Sequence, residues 1–436
     1  MVAVKFGEST EEYHLLLDSA ASNTWVMSEK CTTDACSTHN SFGNGDSSTL
    51  KTEDTTFSIT YGTGSVSGTL GTDDVHISSI STSLTFGLAS NVSDEFSSYP
   101  MDGILGIGRG DNSDGTIKAP TLMDALSSSG SIKSKIFAIH LSRTADGLND
   151  GELNLGELNK DRYDGDINYI PTVANENGFW EIPVDDAGIE GTLLGLKGRS
   201  AILDSGTSFI LMPEPDGVAL HKLIDGSKQS GETFTVPCST TTPIQISFNG
   251  QSYNVSTADY IGGKMDDGSC KSNIIGRQTF GESQWLVGDV FLKNVYSVFD
   301  FDSSQVGFGV KSGGKQESVS SANPSGTATP VASSGEQSSP TPISTPSSSP
   351  SVTGASSAAV SSGSSADLAP TGGSPTAQQT VSASGTAQQS AAGAKASATG
   401  GSGRATSSSF AFSIALGLLP LFIESFYRAG NTCSAF

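Results

Sequence analysis

Two segments of the chain share one plan: LLLDSAASNTWV at residues 15–26 and AILDSGTSFILM at residues 201–212. Each runs through aliphatic residues into an aspartate, Asp18 or Asp204, and continues through serine and other small residues. An ionised carboxylate at the end of a buried strand is costly unless it has a partner or holds a proton. A turn aspartate that closes a strand is the alternative interpretation of either segment alone.

The likeness continues downstream, where Ile-Leu-Gly at 104–106 and Leu-Val-Gly at 286–288 follow the two aspartates at similar distances. Two similar lobes that face each other would bring Asp18 and Asp204 together at the lobe boundary, where ligand clefts form. Two adjacent carboxyl groups do not both ionise readily, so one keeps a proton and their pKa values separate. Such a pair supplies a base and an acid for hydrolysis by a water held between them.

The composition changes at about residue 311. Residues 312–409 are almost entirely Ser, Thr, Ala, Gly, Pro and Gln, which bury too little apolar surface to offset chain entropy, so we expect a disordered stalk. Four acids and four bases cancel in residues 312–436, so the net charge of −22 belongs to the part before them. A surface this negative repels phosphate and argues against a nucleic-acid partner.

The part of the chain before the stalk reads as short strands separated by turn residues. Alternating patterns, as in TFSITYGTGSVSGTLGTDDVHI at 56–77 and TPIQISFNGQSYNVS at 242–256, predict a mostly β protein. Only PTLMDALSSSG at 120–130 and EPDGVALHKLIDG at 214–226 have the character of helices, and both are short.

These motifs resemble those of the pepsin-like aspartic peptidases along nearly all of residues 2–310. The paired Asp-Thr/Ser-Gly motifs of that family match Asp-Ser-Ala at 18–20 and Asp-Ser-Gly at 204–206. MDGILGIG at 101–108 and the segment 284–309 also resemble the family, in which they pack beneath the active-site loops. One Asp-Ser-Gly occurs by chance, whereas two in this context are a specific signal.

The resemblance implies an all-β, bilobal fold with two similar lobes around a central cleft. We place the N-terminal lobe at 1–165 and the C-terminal lobe at 166–311, with the family's first strand and pro-segment lying ahead of the point where this sequence begins. The implied activity is that of an aspartic endopeptidase that hydrolyses peptide bonds at acid pH, through a water activated between Asp18 and Asp204. The resemblance implies no cofactor and no metal, peptide or protein substrates, and a monomer.

The segment ITYGTGSVSG at 59–68 resembles the flap hairpin of the family. By that resemblance Tyr61 would close over the bound peptide, and Gly62 and Thr63 would bond its backbone. Trp25 would lie behind Tyr61 and hydrogen-bond its hydroxyl. An ordinary glycine-rich hairpin is the alternative interpretation. The full set of positions that match substrate-binding residues is Tyr61, Gly62, Thr63, Ser22, Gly206 and Thr207.

Hydroxyl residues stand at matching places in the two aspartate loops. The resemblance implies that Ser19 and Ser205 tie the loops together across the lobe boundary, and that Ser22 and Thr207 hydrogen-bond near the carboxylates. Exposed turn residues are the alternative for all four.

The first loop departs from the family pattern at two positions. Ala20 stands where glycine is usual, and Ala21 stands where a hydroxyl commonly bonds the carboxylate. The loss of a donor to the charged form should raise the lower pKa of the pair, which predicts an optimum less acidic than that of a gastric enzyme. The added methyl group of Ala20 keeps open an alternative, a catalytically inactive homologue that acts as a cell-surface peptide-binding or wall protein.

The chain has five cysteines, and four of them stand in two local pairs. Cys31 with Cys36 and Cys238 with Cys270 are expected to form disulfides in an oxidising compartment, which leaves Cys433 alone. A metal site is the alternative, but no second Cys or His pair stands at zinc-like spacing.

Several signals point to the cell surface. Asn91 and Asn254 open Asn-Val-Ser glycosylation sequons, although no signal peptide is visible at the start of this sequence. Small residues at 399–402, a short polar spacer and an apolar run at 410–423 resemble a GPI attachment signal within the C-terminal segment 410–436. A single-pass anchor and a plain tail are the alternatives. We expect an extracellular or surface protein similar to the GPI-anchored, yapsin-like fungal members of the family.

Overall fold

The structure is a computed structural model that describes residues 1–110 and 117–312. All of the predicted stalk except its first residue lies outside the described residues, as do the apolar C-terminal segment and Cys433. In the described part, no helix is both long enough and apolar enough to cross a membrane.

The described residues form 25 strands and four α-helices. In chain order the strands are β1 (Val2–Phe6), β2 (Tyr13–Asp18), β3 (Trp25–Met27), β4 (Lys51–Tyr61), β5 (Gly64–Ile77), β6 (Ile80–Val92), β7 (Gly103–Gly106), β8 (Ile136–His140), β9 (Glu152–Leu155), β10 (Tyr163–Pro171), β11 (Glu181–Val184), β12 (Asp186–Ile189), β13 (Thr192–Leu193), β14 (Arg199–Leu203), β15 (Ile210–Met212), β16 (Lys228–Ser230), β17 (Thr233–Val236), β18 (Ile244–Phe248), β19 (Gln251–Val255), β20 (Ile261–Lys264), β21 (Cys270–Ser272), β22 (Ile274–Gly276), β23 (Gln284–Val287), β24 (Val295–Asp300) and β25 (Gln305–Lys311). The helices are α1 (Leu122–Ser128), α2 (Glu214–His221), α3 (Thr257–Tyr260) and α4 (Asp289–Leu292).

The predicted all-β, bilobal class is confirmed, and α1 and α2 fall within the two segments that have helical character. Helix α1 begins after Thr121, whose hydroxyl accepts the backbone N–H of Asp124 in a capping box. The single turns α3 and α4 were not predicted. Each has only four residues, too few to show a helical period.

The two halves of the chain repeat one arrangement of strands. In the first sheet, ordered β1-β2-β7-β3-β6-β5-β4, β2 pairs in parallel with β7, and β7 pairs antiparallel with β3. In a second sheet, ordered β11-β14-β23-β15-β22, β14 pairs in parallel with β23, and β23 pairs antiparallel with β15. The internal repeat of the sequence is therefore also a structural repeat.

A five-stranded antiparallel sheet, ordered β10-β25-β24-β8-β9, combines strands from the middle and the end of the described chain. Two four-stranded sheets complete the second half, β13-β12-β18-β19 and β16-β17-β21-β20. The lobe boundary that we place between residues 165 and 166 falls inside β10, within the sheet that both halves share, and it stays a prediction.

Both predicted disulfides are present. The Cys31–Cys36 bond closes a short loop before β4, and the Cys238–Cys270 bond joins the segment after β17 to β21 across 32 residues. The core is rich in aromatic side chains. The rings of Phe137 and Phe299, for example, stack with their centroids 4.5 Å apart, and the ring of Trp180 makes a T-shaped contact with each of them.

Candidate active site

Asp18 and Asp204 occupy equivalent places at the ends of two strands. Asp18 is the last residue of β2, and Asp204 directly follows β14. Opposite them lie the glycines that end or follow the partner strands, where a side chain has no room. A Cβ at Gly106 would meet the carbonyl oxygen of Asn23 at 2.5 Å, and one at Gly288 would meet that of Thr207 at 1.9 Å. The repeated strand-end glycines are thus needed for the aspartate loops to pack.

Four hydrogen bonds cross between the two aspartate loops. The backbone N–H of Ser19 donates to Ser205 Oγ at 3.2 Å, and that of Ser205 donates to Ser19 Oγ at 2.9 Å. Each hydroxyl in turn donates across the boundary, Ser19 Oγ to the carbonyl of Leu203 and Ser205 Oγ to that of Leu17, both at 2.8 Å. Ser19 and Ser205 thus join the two loops, and the crossing bonds hold the two carboxyl groups close together.

The two carboxyl groups are buried and lie against each other. Asp18 is 8% exposed and Asp204 is 7% exposed. A Cβ added at Gly206 would lie 2.7 Å from Asp18 Cγ and 3.1 Å from Asp204 Oδ1. Each carboxyl group shifts the pKa of the other, so the two interact directly. The arrangement expected from the sequence, with each acid as the partner of the other, is thus the one observed.

The backbone donors to the two carboxylates are nearly equivalent, but the hydroxyl donors are not. Ala20 and Ala21 donate their N–H groups to Asp18 Oδ1 at 2.9 and 2.8 Å, and Gly206 donates to Asp204 Oδ1 at 2.8 Å. Asp204 Oδ2 also accepts a hydrogen bond from Thr207 Oγ1 at 2.5 Å. Among the described residues Asp18 accepts no hydroxyl hydrogen bond, and Ala21 occupies the position that corresponds to Thr207.

The difference in hydroxyl donors affects which of the two carboxyl groups holds the shared proton. Desolvation, followed by the negative charge of Asp204, raises the pKa of Asp18 to about 8. Desolvation also raises the pKa of Asp204, but the hydroxyl of Thr207 and the N–H of Gly206 oppose that rise. The hydroxyl donor thus favours the ionised form of Asp204, which leaves Asp18 as the favoured site for the shared proton.

Ala20 does not distort the first loop. Its N–H reaches the carboxylate at almost the same distance as the N–H of Gly206 in the other loop, and its φ is not in the left-handed region. The extra methyl group is therefore accommodated without loss of the carboxylate contact.

The segment 59–68 forms a hairpin in which Gly62 and Thr63 make the turn between β4 and β5. Tyr61 stands at the end of β4, and its hydroxyl accepts a hydrogen bond from Trp25 Nε1 at 2.9 Å. The ring of Phe96 packs edge-on against both Tyr61 and Trp25. A buried tryptophan thus holds the predicted flap tyrosine in place.

Comparison with known proteins identifies the family. A profile described as eukaryotic aspartyl protease matches residues 1–311. The chain belongs to this family.

Among curated relatives of this aspartyl protease chain, the aspartic-type endopeptidase ctsD of Aspergillus fumigatus is 43% identical over 311 residues, which are 71% of this chain and 65% of the relative. A probable aspartic-type endopeptidase CTSD of Arthroderma benhamiae is 41% identical over 324 residues, 74% of this chain and 63% of the relative. Pepsin A of Sus scrofa is 33% identical over 312 residues, 70% of this chain and 79% of the relative. This aspartyl protease chain thus spans less than two thirds of the length of the two fungal relatives.

The hydroxyl of Ser22 contacts the loop that follows β7. Its Oγ accepts the backbone N–H of Gly110 at 2.8 Å, and within the described residues it makes no hydrogen bond to Asp18. Ser22 thereby fixes the loop that follows β7 in this aspartyl protease chain against the loop that carries Asp18.

Asp289 is a nearby residue that the sequence reasoning did not single out. It opens α4 directly after Gly288, and its N–H donates to the carbonyl of Thr207 at 2.8 Å. Desolvation raises the pKa of its carboxyl to about 6, which the charge of Lys293 opposes and that of Asp204 reinforces. An acid directly after Leu-Val-Gly was the available sequence signal, but that segment was read only as support.

Proposed function

We propose that this protein is an aspartic endopeptidase that hydrolyses peptide bonds at acid pH. One observation carries the proposal: Asp18 and Asp204 meet as a buried pair of carboxyl groups that accept hydrogen bonds from different donors. Such a pair supplies a general base and a general acid at one pH.

In the proposed reaction, the ionised carboxylate of Asp204 removes a proton from a water held between the two acids. The water oxygen bonds to the scissile carbonyl carbon, while the proton of Asp18 moves to the carbonyl oxygen. The resulting gem-diol collapses as Asp204 passes its proton to the amide nitrogen and a diol proton returns to Asp18. The C–N bond breaks, and the products are a carboxyl and an amine. No covalent intermediate with the protein forms.

Substrate binding is proposed for the hairpin and the two loops. Trp25 holds Tyr61 at the end of β4, and in the proposed complex Tyr61 closes over the peptide while the backbone of Gly62 and Thr63 at the turn pairs with it. Gly206 leaves room beside the carboxyl pair, Thr207 orients Asp204, and Ser22 supports the neighbouring loop.

We further propose that the enzyme works outside the cell, as a monomer tethered by its C-terminal segment in the manner of yapsin-like, GPI-anchored relatives. Two disulfides fit an oxidising compartment. The two sequons differ in access, because Asn91 is exposed on β6 whereas Asn254 is half-buried beside Gln245. Asn91 is therefore the better glycan acceptor.

Digestion of a denatured protein from about pH 3 to pH 7, with and without the transition-state mimic pepstatin, tests the proposal. We expect pepstatin-sensitive digestion that Asp18→Asn and Asp204→Asn each abolish. Asp225→Asn, which changes an exposed carboxylate without a described contact, is the matched control and should stay active. Peptide binding without turnover would instead identify the inactive, peptide-binding homologue.

A further inference from the structure

A cavity of about 330 Å³ lies between the loop after β7 and the loop that joins β10 to β11. This volume is enough for a side chain or a chain terminus. Its walls are formed by Arg109, Gly110, Ala174, Asn175, Glu176 and Gly178. Gly110 is hydrogen-bonded to Ser22, four residues beyond Asp18, so the cavity adjoins the loop of the carboxyl pair.

The positive charge of Arg109 lies on the wall of this cavity, here called the Arg109 cavity. The described residues compensate that charge only in part. The Arg109 guanidinium donates to Thr172 Oγ1 at 2.9 Å and to Ser304 Oγ at 3.5 Å, and it lies 5.1 Å above the ring centroid of Trp180. A guanidinium has five N–H donors, and within the described residues these two bonds engage two of them. Among residues 1–110 and 117–312, no carboxylate pairs with it, and desolvation is the cause that lowers its pKa. A partly desolvated cation that no described carboxylate pairs with favours an anionic ligand.

The walls of the Arg109 cavity are held in place before any ligand arrives. The side chain of Asn175 donates to the carbonyls of Val173 and Phe179 at 3.2 and 3.0 Å, and it accepts the N–H of Phe179 at 2.8 Å. The backbone N–H of Arg109 donates to the carbonyl of Gly178 at 3.3 Å. A preformed site avoids the cost of ordering a loop when a ligand binds.

Glu176 also lines the Arg109 cavity, but it does not neutralise the cation. It is exposed and forms neither an ion pair with Arg109 nor another hydrogen bond within the described residues. Its charge opposes a second carboxylate at neutral pH. The net charge of −22 also repels acidic peptides in general. A preference for an acidic peptide would therefore have to come from a local site.

We propose that the Arg109 cavity binds a carboxylate of the peptide substrate. The donors of Arg109 suit the planar, two-oxygen geometry of that group. The carboxylate belongs either to an acidic side chain or to the free end of the peptide, and both sources have the same chemistry. The inference rests on the proposed peptidase function for its ligand, but binding can be measured without cleavage.

The test measures peptide affinity for the Asp18→Asn protein by isothermal titration calorimetry. One peptide series scans Glu against Gln at each position, and a second compares a free C-terminus with a C-terminal amide. At about pH 6 we expect one of the charged members to bind about tenfold more tightly than its neutral partner. The advantage should vanish below about pH 4, because the ligand carboxylate then takes up a proton. The series that shows the advantage identifies the source of the carboxylate.

Two variants decide whether Arg109 is responsible. Arg109→Gln should remove the charged peptide's advantage while the neutral peptide binds as before, and Glu176→Gln should increase the advantage severalfold. Equal weakening of charged and neutral peptides by Arg109→Gln would show a purely structural role and overturn the proposal. If Arg109→Gln does not fold, Glu176→Gln tests the proposal by itself. This variant should fold, because the exposed side chain of Glu176 makes no hydrogen bond or ion pair within the described residues. An unchanged preference in Glu176→Gln then overturns the proposal.

The outcome is separable from that of the proposed function. Digestion of denatured protein together with equal affinity for charged and neutral peptides would overturn the carboxylate site alone. Absence of digestion together with an Arg109-dependent preference for charged peptides would overturn the peptidase function and keep the site.

Discussion

Replacing Ala21 with serine gives the Asp18 loop the hydroxyl that the Asp204 loop already has. Thr207 stands three residues after Asp204 and donates to its Oδ2 at 2.5 Å, whereas Ala21 stands three residues after Asp18 and offers only its N–H. Because the two loops repeat one geometry, a hydroxyl at position 21 should reach Oδ2 of Asp18, as Thr207 reaches Oδ2 of Asp204. The variant adds a single heavy atom, so the fold should be retained.

The magnitude follows from the new hydrogen bond. A hydrogen bond to a charged acceptor contributes about 1.5 to 3 kcal/mol, and one pKa unit corresponds to about 1.4 kcal/mol. The serine stabilises the ionised form of Asp18, so its pKa, raised to about 8 in the native protein, should fall by about one to two units. Activity requires Asp18 to be protonated. Activity is therefore lost as the pH rises through the pKa of Asp18. In Ala21→Ser the alkaline limb of the pH–activity profile should move to lower pH by the same one to two units.

The assay is kcat/KM for a fluorogenic peptide across the full pH range, measured for the native protein and for Ala21→Ser. Thr207→Val is the converse control: it removes the donor to Asp204, raises the pKa of that group and should move the acid limb to higher pH. An alkaline limb that stays in place or moves upward in Ala21→Ser would refute the reasoning. A native profile that still climbs below about pH 3 would contradict the less acidic optimum expected from the sequence.

Three further outcomes follow from the described contacts. Tyr61→Phe removes the acceptor of the Trp25 indole bond and should lower kcat/KM about fivefold in steady-state assays, with an unchanged value arguing against a role for that bond. His221 is 1% exposed, and its burial lowers its pKa from 6.5 to about 4. As the pH falls, the unfolded chain therefore takes up a proton at His221 before the folded chain does. The free energy of unfolding should fall by about 3 kcal/mol as the pH drops from above 6.5 to below 4. Urea unfolding of His221→Gln at a series of pH values should show a weaker dependence of this free energy on pH. Replacing Cys238 and Cys270 with serine should lower the free energy of unfolding by about 4 kcal/mol, and a loss below about 1 kcal/mol would contradict the chain-entropy account.

The sequence was sufficient where one local pattern occurred twice. The aliphatic run into Asp18 or Asp204 predicted two equivalent strand ends, and the helical character of residues 120–130 located α1. The lobe boundary near residue 165 was harder to place, because β10 continues through it without a change in composition.

Contacts between distant segments could not be read from the sequence. The position of Arg109 over Trp180 and the desolvation of Asp289 depend on packing across the fold. No sequence pattern around Arg109 indicates its environment, and the acid after Leu-Val-Gly does not by itself indicate that Asp289 is desolvated. The roles of Ser19 and Ser205 were expected only through the family resemblance, since a serine after an aspartate also suits an ordinary turn.

The crossing bonds of Ser19 and Ser205 have a consequence for how the chain tolerates change. Each hydroxyl donates to a carbonyl group in the opposite half of the chain. Replacing either serine therefore removes contacts of both halves. Any movement that separates the halves breaks all four bonds in one event. We therefore expect no half-assembled form of the centre: the carboxyl pair is aligned as a unit or lost as a unit, and the two loops are constrained to evolve together.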